Sequence, residues 1–402
     1  MQEFLRLVQE KAVKVEPLIT QEFPVINVAD AYDALVKCPS TSLAILLRYD
    51  DAAHSMCRAV ALPSQRARLS RARSDATNIA VVGCGAFARQ AHLPNLAKMP
   101  RVHLRAIVSS TGHSAREMAS RYHADYCTTD FQEVLRDDQV DAVMIMSRDK
   151  THAAMTCAAL RADKHVFCEK PIATSLEECR AVEEASSSTN ALCMVGFNRR
   201  FAPLLHEVKG VVAKRNGPCV MQYRVNAGRI AKEHWTADPT QSAGRIIGEA
   251  CHFVDLFHWL LEQEPVDVFA IALGRNRTLH QIEDISANFR FSDGSIATLL
   301  YTASGSNAFS KERIEIFVDG NVVMVDDFAQ LTMRGKKRVD RRDRRPDKGH
   351  ANELLHFVQT IQGHEPLNVS ERDGIRATVC CLKILESIQL GTAVPMDWGS
   401  HE

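Results

Sequence analysis

The sequence has 402 residues, 46% of them hydrophobic and 24% charged, with 49 Lys plus Arg balanced by 49 Asp plus Glu. Such a chain holds enough apolar material for two or three packed domains at roughly 150 residues each, which excludes global disorder. A formal net charge of zero exerts no overall pull toward nucleic acid or an anionic membrane, and no apolar run approaches the ~18 residues of a transmembrane helix.

The chain opens on MQEFLRLVQEKAVKVEP, where charges break every apolar run, so it does not read as a secretory signal. Residues 1–50 hold one periodic segment, VADAYDALVKC, and one strand-like run, SLAILLRYD. Together they are too small for a core of their own. Residues 51–76 read as a linker, with Arg58, Arg66, Arg68, Arg71 and Arg73 spaced by Ser, Gln and Ala. A solvated linker is the plain reading there, and a nucleic-acid arm the lesser one. The 12 cysteines are scattered, apart from Cys380–Cys381, and form no C-x-x-C pair. They read as reduced core thiols of a cytoplasmic protein, and no metal site is expected.

From residue 77 to 197 short apolar runs alternate with helical stretches. The runs are NIAVVG, LRAIVSS, DAVMIMS, HVFCEK and ALCMVGF; the helices are SAREMASRYH, FQEVLRD, THAAMTCAALRA and SLEECRAVEEASSS. Strand–helix alternation with fully apolar strands predicts a doubly wound parallel sheet, a Rossmann domain. Residues 198–402 change character. PCVMQYRVNAG, VDVFAIALGR, SANFRFSDGSIATLLYTA, RIEIFVDGNVVMVDD and AQLTMRG read as longer strands, separated by turns such as Ser-Asp-Gly and Asp-Gly-Asn. Helices are predicted at about 247–262 and 371–390, the second ended by Gly391. The expected fold class is therefore α/β: a Rossmann domain, then an α+β domain with a large, mostly antiparallel open sheet. The basic stretch Arg334–Lys348 reads as an exposed loop or edge hairpin.

Gly83-Cys84-Gly85-Ala86-Phe87-Ala88 follows the first of these strands and opens a helix. In this G-x-G-x-x-A pattern Gly83 permits the tight turn and Gly85 lets the backbone approach a pyrophosphate. Ala88 allows close helix–strand packing, and the helix N-terminus offers amides to the phosphates. The strand–turn–helix context makes this a dinucleotide site. The second strand ends in Ser109-Ser110-Thr111, with no acid for a ribose and with Arg116 nearby. Hydroxyls beside an Arg lean slightly toward NADP over NAD.

GCGAFA, THAAMTCAAL, HVFCEKPIA and VGFNRRF together resemble the glucose–fructose oxidoreductase, inositol dehydrogenase and MocA (Gfo/Idh/MocA) family, over about Asn78 to Met396. NRRFAP, YRVNAGRI, HWTADP, GRIIGEACHFVD, FSDGSIATLLYT and KERIEIF are similar to the C-terminal module of bacterial bi-domain oxidoreductases of polysaccharide loci. In those proteins a zinc-alcohol-dehydrogenase-like half comes first. VEPLITQEFPVINVADAYDALVK with SLAILLRY resembles the tail of such a half, so residues 1–50 read as a remnant of a longer fusion, or else as a small interaction segment.

The resemblance implies hydride transfer between a nicotinamide and a sugar-type carbon: a nucleotide-sugar, a sugar phosphate or an inositol-like polyol. Lys170 of EKP matches the family lysine and His252 the family histidine that handles the proton, the latter with a pKa expected near working pH. Many members carry Asp four residues before that histidine; here Gly248 stands there and Glu249 follows. Asp255, one turn after His252, is then the candidate to orient it. Pro171 could place a cis bond beside the lysine. Glu169, Ser147, His152, Asn198 and Arg199 lie at strand ends and are expected near the cofactor. His152 could instead simply begin a helix, and Arg199 and Arg200 could be structural ion-pair formers. Arg229, His234, Trp235 and Arg245 fall in substrate-facing segments, where Trp suits a sugar ring and Arg a phosphate or carboxylate. Gln241-Ser242-Ala243-Gly244 replaces a glycine-rich stretch of the subgroup. The family also implies a dimer or tetramer, with a small-molecule substrate and no nucleic-acid or membrane partner. Two alternatives share the scaffold: a non-catalytic nucleotide-binding or regulatory protein, and NAD-dependent glycoside cleavage.

Overall fold

The computed structural model describes residues 2–37, 42–49, 59–62, 76–231, 233–274 and 278–396. The chain divides into two units, Met1–Cys57 and Arg58–Glu402. In the first, strands β1 (Ile19–Pro24) and β2 (Ala44–Arg48) pair in parallel, with helix Val28–Lys37 between them in sequence. Ala31 is its one buried apolar side chain among the described residues, as expected of a segment too small for a core.

The expected linker splits. Arg58, Arg66, Arg68, Arg71 and Arg73 lie outside the described residues. Residues 59–62, however, belong to the second unit: β3 (Val60–Ala61) pairs antiparallel with β6 (Tyr126–Thr128), and Leu62 N–H donates to Asp125 O at 2.8 Å. This corrects the linker reading for those residues.

The first sheet of the second unit runs β3-β6-β5-β4-β7-β8-β9, with β4 (Thr77–Val82), β5 (Val102–Val108), β7 (Ala142–Ile145), β8 (His165–Cys168) and β9 (Cys193–Val195). All its pairs except β3–β6 are parallel. Strands β7 and β9 are buried at every residue, which is why they read as continuous apolar runs rather than as alternation. Strand order reverses at β4, whose neighbours are β5 and β7. The crevice beyond the carboxyl ends there is the switch point where open α/β sheets bind ligands. Three-residue β6 is too short to show a period.

The second sheet has nine strands in the order β17-β16-β15-β14-β10-β13-β12-β11-β18. They are β10 (Val220–Asn226), β11 (Pro265–Ala272), β12 (Ile285–Phe291), β13 (Ile296–Thr302), β14 (Glu312–Val318), β15 (Asn321–Asp326), β16 (Gln330–Arg334), β17 (Val339–Arg342) and β18 (Val394–Pro395). Only β10–β13 is parallel, so the mostly antiparallel sheet is as expected. The basic stretch forms the edge hairpin β16–β17. Helices Cys251–Leu261 and Glu371–Leu390 pack on each other and on the sheet. The second begins in a capping box at Ser370 and ends at Gly391, φ +69°.

Helix Gln2–Gln9 of the first unit and two helices of the second escaped the sequence reading. Of those two, one is Pro203–Val212. The other, His350–Ile361, carries Leu354, Phe357, Val358 and Ile361 at helical spacing but follows directly on the basic hairpin. It packs against the Rossmann segment 88–96 and against Asn198–Phe201, bringing the second domain over the nucleotide end of the first.

Candidate functional site

The carboxyl ends of β4, β5, β7 and β8 supply the predicted loops. Gly83 has φ +99°, and a methyl group on it would lie 2.5 Å from Met146 O and 2.8 Å from Ser147 N. Only glycine fits this turn, which sits against the end of β7. A methyl group on Gly85 would meet nothing within 4 Å. That open space over the backbone is what a pyrophosphate needs, so the loop fits a dinucleotide. The helical run that follows contains one wide π turn, Ala88–His92. Arg89 N–H is bonded to Gly85 O at 3.1 Å, which places Ala86, Phe87 and Ala88 in the first turn, whose amides have no partner within the helix. Ala88 is buried against the sheet, while Phe87 stands at the mouth, edge-on to His92 and His350. Ser109 and exposed Ser110 end β5, with no acid at the tip. Ser147 ends β7, its Oγ 2.7 Å from Thr151 Oγ1.

Beyond β8 comes Glu169-Lys170-Pro171, with a cis Lys170–Pro171 peptide. Lys170 Nζ donates to Gly248 O at 2.8 Å. Gly248 lies in a second π turn, Ile246–Ala250, that leads into the helix of His252. The lysine of the first domain therefore reaches the segment of the second that leads into the His252 helix. His252 is 9% exposed, and its buried Nδ1 has no partner. Burial holds its pKa well below the ordinary histidine value, and the charges of Arg199 and Lys170 add to this. It is a neutral imidazole at neutral pH, not one titrating near working pH as the sequence reading expected.

Several expected roles are not formed. The Asp255 carboxylate is taken by Arg200 (2.9 and 2.5 Å) and does not reach His252 Nδ1. Arg199 is bound bidentately by Glu312 at 2.8 and 2.9 Å, so both arginines are the ion-pair formers of the alternative reading. Asn198 is buried, with Nδ2 donating to Lys348 O at 2.7 Å. His152 is buried too: Nδ1 contacts Pro171 O at 2.8 Å and Nε2 contacts Ser147 O at 3.1 Å. It clamps the β7 loop to the EKP loop instead of facing a cofactor. The Glu169 carboxylate turns inward to His92 Nε2 at 2.7 Å. Burial alone would raise its pKa, but the hydrogen bond and charge of His92 keep it below the usual range.

Among the substrate-facing residues, Arg245 is buried and spent on Gly228 O (2.8 Å) and Glu249 (3.3 Å). Trp235 carries the guanidinium of Arg148 over its ring at 5.3 Å, so this face is shared with the Rossmann loop. Arg229 and His234 are exposed. The sequence reading missed His92, whose only signal is its place nine residues after Gly83. It also missed Glu353, fully buried with neither oxygen partnered. Burial and the neighbouring Glu169 push the Glu353 pKa well up.

Comparison with known proteins places this arrangement. A family model described as "Oxidoreductase family, NAD-binding Rossmann fold" matches residues 77–197, and one described as "GFO/IDH/MocA C-terminal domain" matches 218–323. Inositol 2-dehydrogenase 3 of Saccharopolyspora erythraea is 30% identical over 286 residues, 66% of this chain and 79% of the relative. Myo-inositol 2-dehydrogenase of Thermotoga maritima is 24% identical over 79% of this chain and 98% of its own. Among solved structures, levoglucosan dehydrogenase in complex with NADH superposes with a TM-score of 0.71 at 20% identity, covering 80% of this chain and 99% of that one.

Proposed function

The chain belongs to the Gfo/Idh/MocA family of NAD-binding oxidoreductases, and on that premise we propose that it interconverts a CH–OH group and a carbonyl on a sugar-type substrate. The observation that carries the proposal is the bridge from Lys170 Nζ to Gly248 O, one turn before His252. A nicotinamide dinucleotide held at the strand ends supplies hydride acceptor or donor chemistry. Gly83, Gly85 and the amides of Ala86–Ala88 would hold its phosphates, and Ser109, Ser110 and Ser147 at the neighbouring strand ends would be available to the rest of it. Lys170 hydrogen-bonds the reacting oxygen and offsets negative charge as alkoxide character grows. His252, kept neutral by burial, accepts the hydroxyl proton in the oxidising direction.

The relatives named as inositol 2-dehydrogenases support a polyol or sugar ring. A nucleotide-sugar or sugar phosphate would meet exposed Arg229 and His234, since Arg245 is internally paired. The outer face of the second sheet exposes Val220, Phe269, Ile271, Ile296, Phe317 and Val322. This patch supports a dimer or tetramer built sheet to sheet. Among the described residues no helix is long and apolar enough to cross a membrane; we place the enzyme in the cytoplasm. The family models begin at residue 77 and lend nothing to the fusion-remnant reading of residues 1–50.

A fluorescence titration with NADPH and NADH tests the cofactor part. Saturable binding is expected, tighter for NADPH because no acid follows Ser109–Ser110. Gly85→Ala, which has room for its methyl group, should weaken binding at least ~10-fold without unfolding the chain. Unchanged affinity in that variant would refute the site, and tighter NADH binding would refute the NADP preference. A turnover screen over inositols, sugar phosphates and nucleotide-sugars tests the chemistry.

A further inference from the structure

Asp149 ends the β7 loop and is 5% exposed. Its Oδ2 accepts from Ser242 Oγ at 2.8 Å and from Ala243 N–H at 3.2 Å, and its Oδ1 from Lys150 N–H at 2.8 Å. A methyl group built on Gly248 would lie 3.7 Å from that same Oδ2. Gly248 is the residue whose carbonyl receives Lys170 Nζ. Two departures noted in the sequence thus converge on one group. Where Gly248 lacks a side chain, a carboxylate arrives from the other domain, and the Gln241–Gly244 stretch supplies the donors that hold it. Arg148 over Trp235 and Lys150 Nζ on Pro239 O brace the same loop on either side.

We infer that Asp149 is a positioning residue of the Lys170–His252 pair: it supplies from the Rossmann domain the negative charge facing Gly248 and locks that segment so that its carbonyl meets Lys170. The inference rests on the oxidoreductase reading above. A hydroxyl and two amides hold the carboxylate in place. Its hydrogen bonds join the two domains beside the segment that receives Lys170.

Four variants separate charge from scaffold: Asp149→Asn, Asp149→Ala, Gly248→Asp and the double variant Asp149→Ala/Gly248→Asp. Each is checked by a thermal melt and by NADH titration. The surroundings of Lys170 are read from its methyl resonance by NMR of the 13C-methylated protein without cofactor. Asp149→Asn should shift that resonance and cut kcat at least ~10-fold, with the NADH Kd within about threefold. Gly248→Asp alone should also lower kcat, since it sets two carboxylates against each other. In the double variant it should recover most of the turnover and restore the lysine resonance. A lysine resonance unmoved in Asp149→Asn, or a folded double variant no better than Asp149→Ala, would overturn the inference. Absence of turnover by the wild type on every sugar and polyol would defeat the functional reading alone, because the lysine resonances still decide the role of Asp149.

Discussion

Removing the charge of Glu312 tests whether the inner wall of the site is built on a buried ion cluster. Its carboxylate is fully buried and accepts four hydrogen bonds: Arg199 at 2.8 and 2.9 Å, Lys348 Nζ at 2.6 Å and Tyr223 Oη at 2.6 Å. Two cations thus share one anion. Glu312→Gln keeps the shape but leaves both charges uncompensated, and its amide turns a donor toward one of them. Breaking a buried pair from one side costs about 3–5 kcal/mol, a large part of a typical 5–15 kcal/mol stability. In urea, at ~3 kcal/mol per molar, the midpoint should fall by roughly 1–1.7 M. The double variant Arg199→Met/Glu312→Gln should lose less than the two single losses added together, because no buried guanidinium is left stranded. Glu312→Gln alone should also suppress His252 protonation further, since the uncompensated Arg199 already disfavours it. A Glu312→Gln protein within ~1 kcal/mol of wild type would refute this account of the cluster.

His252→Ala should lower kcat by about 10²–10⁴-fold while the NADH Kd moves less than threefold, because the ring enters from the second domain; an unchanged kcat would assign the proton to another group. His152 has its pKa raised to about 9: burial opposes this, but Cys168 and the carbonyl oxygens of Pro171 and Ser147 outweigh it. A raised value stabilises the fold fully below the ordinary 6.5 and is lost as pH climbs through about 9. The stability gap between wild type and His152→Gln should therefore shrink by about 2–3 kcal/mol between pH 6 and 9.5. Urea titrations giving a constant gap across that range would show that the ring is not held charged.

Much of the molecule was legible in the residues themselves. Strands β4, β5, β7, β8 and β9 appeared as short apolar runs because burial on both faces leaves no alternation. The Gly83–Ala88 turn was readable because its demands are local: one positive φ, one close backbone approach, one small side chain. Turns such as Asp319-Gly320, both at positive φ, marked the hairpins for the same reason. Strand β6 and the two extra helices were missed where an element is short or its pattern adjoins a charged run.

What the amino-acid order determined by itself is the sequence of elements and the loops at the carboxyl ends of the strands, for these follow from periodicity and backbone sterics within a few residues. Only the tertiary structure decided which charged side chains point into the site and which are consumed in building it. Asp255 lies one turn from His252 yet goes to Arg200; Glu169 goes to His92, 77 residues earlier; Arg199 goes to Glu312, 113 residues later. Asp149, in a loop of the first domain, comes to stand beside Gly248 of the second. A buried charge must take whichever partner the packing brings within about 3 Å, and that partner is set by how the two domains fold onto each other, not by spacing along the chain.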